Sequence, residues 1–260
     1  MPIITLTTDF GLADPYVGQV KGVLLTLCPE ARLVDLSHHI PPHDLRRAAV
    51  ILAASAPHFP GETIHLAVVD PGVGTARRAI VVRADGRTFV APDNGLLSHV
   101  IKTGSHVKCR VIVNQKYLSP KISPTFHGRD VFAWAAGHLA AGLDPVELGP
   151  RIDDPHLLDW PVPVLKNGRI KGRVLFADRF GNLVTDIPSQ LILKSPTIRS
   201  PEIRIGDHAL NGLHLTYAEV GEGLPLALIG SFDLLEIALN QGRADKYLGL
   251  GPGASVEVRL

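Results

Sequence analysis

An acid and a base stand at the two ends of one glycine-rich loop, Asp70-Pro-Gly-Val-Gly-Thr-Ala-Arg77. The apolar, β-prone run Ile64 to Val69 leads directly into Asp70. In α/β proteins ligands bind where strands end, and the loops there carry the chemistry. Gly72 and Gly74 allow unusual backbone angles and close approach to a ligand. A turn can fold the carboxylate and the guanidinium, seven residues apart, toward each other. Taken alone, such a loop reads as a surface turn with a solvated ion pair.

Other segments change that balance. Thr7-Thr8-Asp9-Phe10-Gly11 closes a first strand with a carboxylate, which can accept two ribose hydroxyls at once or hold a metal. The plainer roles for Asp9 are a cap or a salt bridge; Asp14 is expected to cap the following helix. Ser123-Pro-Thr-Phe-His127-Gly-Arg-Asp130 precedes a helix, where free N–H groups attract an anion or a polarised water. There His127 could act as a base or as a neutral partner of a water, against the plainer reading of a structural histidine. Asp178-Arg-Phe-Gly-Asn182 is a polar loop in which Asp178 could meet an ammonium and Asn182 an adenine or amide edge. Gly230-Ser231 follows an apolar strand and is expected to precede a short helix, a setting for a carboxylate. Ordinary turn chemistry uses these same residue types.

A metal centre competes for some of these residues. Asp9, Asp70, His127 and His38 or His39 could form an oxygen and nitrogen site. Against it, the chain has no compact ligand motif, and Arg77 would compete with a cation for Asp70. Nucleophile-elbow and phosphate-loop motifs are also missing.

Composition narrows the partners. The 260 residues suit one or two domains, and 45% apolar content suffices for a sizeable core. With 26 Lys and Arg against 25 Asp and Glu, no basic excess points to nucleic acid. No apolar run reaches the ~18 residues of a membrane span. The N-terminus reads as a first strand rather than a signal peptide, and Cys28 and Cys109 read as free, buried thiols. A cytoplasmic protein is expected.

The elements that must position these residues alternate over the first 160 positions. Strands are expected at Ile3–Thr8, Arg32–Leu36, Ile64–Val69 and Cys109–Asn114, with a hairpin around Asp85-Gly86. Helices are expected at Tyr16–Leu27, His43–Ala56, Gly95–Lys102 capped by Asn94, and Gly128–Ala141. This predicts an α/β domain, residues 1–162, with a mainly parallel sheet flanked by helices. Asp159-Trp-Pro-Val-Pro marks a stiff linker. Beyond it, residues 163–260 predict a smaller β-barrel-like domain. Its strands are Arg169–Ala177, Asn182–Ile187, Glu202–Ile205, Leu213–Glu219, Leu226–Ile229 and Ser255–Arg259, interrupted by a short helix at Leu234–Leu239.

Seven segments, taken together and in order, resemble one family. They are Thr-Thr-Asp9-Phe-Gly, Gln19-Val-Lys-Gly22, Val68-Val-Asp70 through Arg77, Ala91-Pro-Asp-Asn94-Gly-Leu-Leu, Pro124-Thr-Phe-His127-Gly-Arg-Asp130, Asp178-Arg-Phe-Gly-Asn182 and Gly230-Ser231-Phe. The family is the S-adenosyl-L-methionine hydrolases, or hydroxide adenosyltransferases, relatives of the fluorinases and chlorinases. The resemblance implies an α/β domain followed by a β-barrel. It also implies a homotrimer with active sites at subunit interfaces. The implied reaction uses no cofactor and no metal: water or hydroxide displaces methionine from the ribose 5′ carbon of S-adenosyl-L-methionine, giving adenosine.

By the same resemblance, Asp70, Arg77 and His127 form the water-activating group. Asp9 grips the ribose hydroxyls, Asn182 faces adenine, and Asp178 and Ser231 hold the amino acid part. Asn94, Thr125, Phe126, Phe180 and Phe232 complete the substrate contacts. The fluorinase has tyrosines where this chain has Asp70 and His127, and a serine in place of Gly128. It also has a tryptophan in place of His43 and an arginine in place of Phe232. A carboxylate at position 70 would repel a halide, so hydrolysis is expected over 5′-halo-adenosine synthesis. The remaining alternatives are a non-catalytic adenosine-binding protein and a metal-dependent hydrolase.

Overall fold

A computed structural model describes residues 1–159, 162–193 and 201–260. They fall into two units, Met1–Leu158 and Asp159–Leu260. Trp160 and Pro161 of the expected linker lie outside the described residues.

Seven strands build the first unit: β1 (Ile3–Thr8), β2 (Arg32–Ser37), β3 (Ile64–Val68), β4 (Ala79–Ala84), β5 (Arg87–Pro92), β6 (Lys108–Val111) and β7 (Arg151–Ile152). They form one sheet in the order β2-β1-β3-β5-β4-β6-β7. The pairings from β2 through β5 are parallel. Those from β5 through β7 are antiparallel, so the sheet is mixed rather than mainly parallel. The cause is the Asp85-Gly86 hairpin. Both residues have positive φ, 51° and 76°, the geometry of a tight two-residue reversal that sets β4 against β5.

Alternation along the strands sends side chains to two cores. In β3, Ile64, Leu66 and Val68 enter one core, and Ala67 and the following Val69 enter the other. Helices α1 (Tyr16–Leu27) and α4 (Ala133–Ala140) cover the first face, through Val20, Leu24, Ala135 and Ala136. Gly137 lets them approach, since a Cβ there would lie 2.8 Å from Leu27. Helices α2 (Leu45–Ser55) and α3 (Ser98–Thr103) cover the second face, through Ala48, Leu52 and Val100.

Several boundaries differ from expectation for local reasons. His43 has φ 68°, so α2 begins two residues later, capped by the Asp44 carboxylate on the Arg47 N–H at 3.0 Å. Asp14 caps nothing: Pro15 precedes α1, and no side chain caps that helix. The helix expected from Gly95 starts at Ser98. Strand β6 ends at Val111 because Asn114 caps a short turn over Gln115–Tyr117. The helix expected from Gly128 is a π-helical turn, Gly128–Phe132, running into α4.

The second unit holds β8 (Val164–Lys166), β9 (Arg169–Ala177), β10 (Leu183–Pro188), β11 (Glu202–Ile205), β12 (His208–Asn211), β13 (Pro225–Ile229), β14 (Leu234–Leu239) and β15 (Ser255–Arg259). All are paired antiparallel in the order β12-β11-β15-β9-β10-β14-β13, with β8 beside β9. A bridge from His214 to Leu228 brings the chain after β12 back to β13, so the sheet nearly closes into a barrel. Leu234–Leu239 is a strand, not the expected helix. The turn at Gly230–Asp233, with Asp233 at φ 58°, sends it back along β13, and Leu235 and Ile237 fill the barrel core. The strand expected at Leu213–Glu219 is instead a loop with a short turn at Tyr217–Glu219.

Among the described residues, no helix is long and apolar enough to cross a membrane. Cys28 and Cys109 are free and buried, as expected.

Candidate active site

The parallel strands β1 and β3 lie side by side and end in Asp9 and in Val69-Asp70. After Asp70 the chain turns twice: the Val73 N–H donates to the Asp70 carbonyl at 3.2 Å, and the Thr75 N–H and hydroxyl both donate to the Gly72 carbonyl. These turns bring Arg77 back onto Asp70. Its Nε donates to both carboxylate oxygens, at 2.9 and 3.0 Å, and its Nη2 donates to Oδ2. The pair is not a solvated surface contact, since the Asp70 and Arg77 side chains are 6% and 10% exposed. The guanidinium also lies 5.0 Å from the centre of the Phe132 ring.

A second loop meets this one. Gly74 adopts φ +78°, and a Cβ there would sit 2.5 Å from the Pro124 carbonyl oxygen. That contact packs the 70–77 loop against Ser123–His127. The second loop is held from behind by buried Asp130, which accepts the Ser123 N–H at 2.8 Å and a forked pair of bonds from Arg129. Arg129 reaches Gln19 on α1 as well, and stacks over Phe126 at 5.1 Å. Burial pushes the Asp130 carboxyl up, but the hydrogen bonds from Arg129 and Ser123 outweigh it, and the group stays ionised below its ordinary range.

His127 stands at the N-terminus of the π-helical turn, and its Nδ1 lies 2.8 Å from Arg77 Nη2. Burial, then the Arg77 charge, lowers its pKa below the ordinary histidine value, and Asp70 and Asp130 oppose this only in part. The neutral ring is therefore favoured. Asp70, Arg77 and His127, 57 positions apart at the extremes, form one connected group.

That group borders a cavity of about 130 Å³. Asp9, Asp70, Thr125, Phe126 and His127 all line it, joined by Phe10, His43 and Gly128. Asp9 Oδ2 accepts the His43 N–H at 3.0 Å, leaving its other oxygen without a hydrogen bond among the described residues. Phe10, Tyr16 and Phe126 pack edge to face, with ring centres 5.3 to 6.2 Å apart, as an aromatic wall. Phe10 and the His43 backbone carry no chemical signature of their own in the sequence; Phe10 is marked by its place beside Asp9, and His43 by standing where the fluorinase has a tryptophan.

Asn94 lies outside this lining. Its Nδ2 donates to the Val69 carbonyl at 2.9 Å and its Oδ1 accepts the Leu96 N–H, so it fixes the strand end just before Asp70. The metal reading finds no support in the geometry. Arg77 occupies both Asp70 oxygens, His38 is bonded to Thr8, and His39 is exposed. No group of three or more His, Cys, Asp or Glu that could hold a metal occurs among the described residues.

In the second unit Asp178 and Asn182 bond each other. The Asn182 N–H donates to Asp178 Oδ1 at 2.9 Å, and its Nδ2 donates to Oδ2 at 3.2 Å. Phe180 at the tip of that loop is 74% exposed. Ser231 and Phe232 lie in the β13–β14 turn, so no helix N-terminus backs Ser231. Phe232 packs edge to face on Phe176. Glu236, a buried carboxylate on β14, is not among the residues whose spacing points to chemistry in the sequence. It accepts the Tyr217 hydroxyl at 2.8 Å and lies against Gly230, where a Cβ would be 2.5 Å from its Oε2. Its one sequence signal is an acid inside an apolar run whose pattern predicts a helix.

Residues 4–149 match the SAM hydroxide adenosyltransferase N-terminal domain, and residues 172–257 match its C-terminal domain. The chain is 42% identical over 259 residues to the (R)-S-adenosyl-L-methionine hydrolase of Thermus thermophilus, covering 96% of this chain and 97% of that one. It is 38% identical over 264 residues to the protein of the same name from Salinispora tropica, covering 99% and 97%. The crystal structure of an uncharacterized conserved protein from Thermotoga maritima superposes with a TM-score of 0.93 at 35% identity, covering 99% of this chain and all of that one. The chain belongs to the SAM hydroxide adenosyltransferase family.

Proposed function

We propose that the protein hydrolyses S-adenosyl-L-methionine to adenosine and L-methionine by in-line attack of water on the ribose 5′ carbon. The observation that carries this reading is the Asp70–Arg77–His127 group beside a cavity that also holds Asp9. The leaving group is a sulfonium that departs as a neutral thioether, so neither acid nor metal is required. What the reaction needs is alignment of water with the C–S bond and a place for its proton, and alignment of this kind can supply ~7–11 kcal/mol.

His127 accepts from Arg77 at Nδ1, so its neutral ring carries the proton on Nε2 and can donate there to the oxygen of the water. Asp70, held by Arg77, is the proton acceptor. A carboxylate suffices, because attack turns water into a strongly acidic protonated alcohol. The C–O bond forms, the C–S electron pair goes to sulfur, and the proton passes to Asp70 and on to solvent. Asp9 binds the 2′- and 3′-hydroxyls, with Thr125 and Phe126 beside the sugar. Asn94 contributes by holding the strand end under Asp70.

Asn182 and Phe180 then serve adenine, and Asp178, Ser231 and Phe232 serve the methionine end. In the homotrimer we propose, the β-barrel domain, residues 163–260, brings these to the α/β domain, residues 1–162, of a neighbouring copy. Two unpaired buried cysteines suit a reducing compartment, the cytoplasm.

The test is chromatography of purified protein with S-adenosyl-L-methionine, with and without a chelator. Adenosine and methionine are expected in equal amounts in both. No adenosine above the uncatalysed rate overturns the hydrolase reading, and loss of activity with chelator revives the metal-dependent one. A chlorinated adenosine formed in high chloride would favour the halogenase alternative, which the Asp70 charge opposes.

A further inference from the structure

Thr8, the last residue of β1, immediately precedes Asp9 and is 1% exposed. Its hydroxyl lies 2.8 Å from Nδ1 of His38, itself 3% exposed. His38 Nε2 in turn lies 3.0 Å from Asp35 Oδ1, and Lys21 on α1 donates to the other Asp35 oxygen at 2.7 Å. The Nε2 to Asp35 contact falls short of hydrogen-bond geometry, but a carboxylate beside Nε2 favours the neutral tautomer with its proton there, in which Nδ1 accepts the Thr8 hydroxyl. The Thr8 oxygen keeps lone pairs free and takes the Phe10 N–H at 3.3 Å. The His38 backbone closes the other side of the turn, its carbonyl accepting the Gly11 N–H at 2.8 Å. Asp9 is thus flanked on both sides by residues fastened to His38.

Buried polar groups are costly unless partners offset their desolvation, and the Thr8 to His38 hydrogen bond, with Asp35 beside the far side of the ring, holds its members in one geometry. Apolar side chains would fill this space more cheaply, but they could not hold a backbone turn by direction. The turn held here presents a cavity-lining carboxylate and an aromatic wall residue, Asp9 and Phe10.

We propose that His38 is a positioning residue for Asp9, acting through the Thr8 hydroxyl and oriented by Asp35. The proposal rests on the reading of Asp9 as the group that binds the ribose hydroxyls. Its consequence is specific: breaking the chain weakens recognition of the sugar hydroxyls without touching the rest of the nucleoside site.

The experiment is calorimetric binding of adenosine and of 2′,3′-dideoxyadenosine to the full chain. Wild type is expected to prefer adenosine. In Thr8→Val and His38→Leu that preference shrinks about tenfold, the worth of one lost hydrogen bond, while dideoxyadenosine affinity is unchanged. His38→Asn, whose Oδ1 can take the place of Nδ1, recovers the preference. Equal loss for both ligands, or a preference retained in both variants, overturns the role of His38. Absence of any preference in wild type would instead remove the ribose reading of Asp9. Should the buried variants fail to fold, Asp35→Ala is measured at its partly exposed position. Freeing the tautomer there is expected to lower the ratio about threefold, and an unchanged ratio overturns the proposal.

Discussion

Arg77 Nη2 lies 2.8 Å from His127 Nδ1, and a guanidinium has only donors, so this contact assigns the histidine tautomer. Protonating His127 would remove the acceptor and set two cations against each other. Activity is therefore expected to fall on the acid side with an apparent pKa below the ordinary histidine value of about 6.5. The same ring contributes to stability. Its folded pKa is depressed by burial first and then by Arg77, so the unfolded chain binds more protons once pH drops below about 6.5. Stability is full above that point and declines through the window down to the lowered value. The kcat profile and denaturation midpoints between pH 4 and 8, compared with those of His127→Gln, check both. An acid limb that survives in the variant unchanged counts against His127.

Asp70 and Arg77 are both nearly excluded from solvent, so they cannot be separated cheaply. Asp70→Ala leaves a buried guanidinium without its counter-charge, a change that costs about 3–5 kcal/mol in comparable pairs. Asp70→Asn keeps the shape and an acceptor, and is the variant of choice for kinetics. Its kcat is expected to fall by roughly 10²–10⁴, the range for a lost proton acceptor, while adenosine affinity changes by less than about threefold. Equal losses in turnover and affinity would assign Asp70 to binding rather than catalysis.

What the sequence makes legible here is what local pattern controls. Ile3–Thr8 and Tyr16–Leu27 follow from short-range apolar spacing and have those bounds in the structure. Leu-Leu-Glu-Ile-Ala-Leu, residues 234–239, is rich in helix formers. It is a strand because β10 and β13 pair with it on either side, which no local window contains. Mixed pairing in the first sheet likewise arises from a hairpin plainly visible at Asp85-Gly86, whose effect on strand order is not local. In the site, the Asp70 and Arg77 contact lies within one loop and was readable. The meeting with His127 depends on the adjacency of β1 and β3 and on a backbone contact at Pro124. Asp178 and Asn182 read as two separate ligand contacts, and the structure adds two hydrogen bonds between them that no local pattern shows.

Gly74 is where that non-local contact is made, and it gives the sharpest packing test. The residue adopts φ +78°, and its missing Cβ would stand 2.5 Å from the Pro124 carbonyl oxygen. Gly74→Ala therefore meets two penalties at once, a left-handed backbone and a clash with main chain that no rotamer relieves. Backbone strain alone costs about 1–2 kcal/mol. Relief of the clash must separate the 70–77 loop from the 123–127 loop. That would lengthen the Arg77 to His127 hydrogen bond and spoil the alignment of the water, for which a displacement of about 1 Å costs on the order of 100-fold in rate. Gly86→Ala provides the control: it also has positive φ, 76°, but nothing stands within 4 Å of its Cβ, and it lies in the β4–β5 turn away from the cavity lining. Both variants are expected to lose stability from strain, measured by denaturant midpoint, Gly74→Ala the more because of its clash, and only Gly74→Ala to lose turnover by a factor of about 100. Matching turnover in the two would show that the 70–77 and 123–127 loops need no close contact for activity.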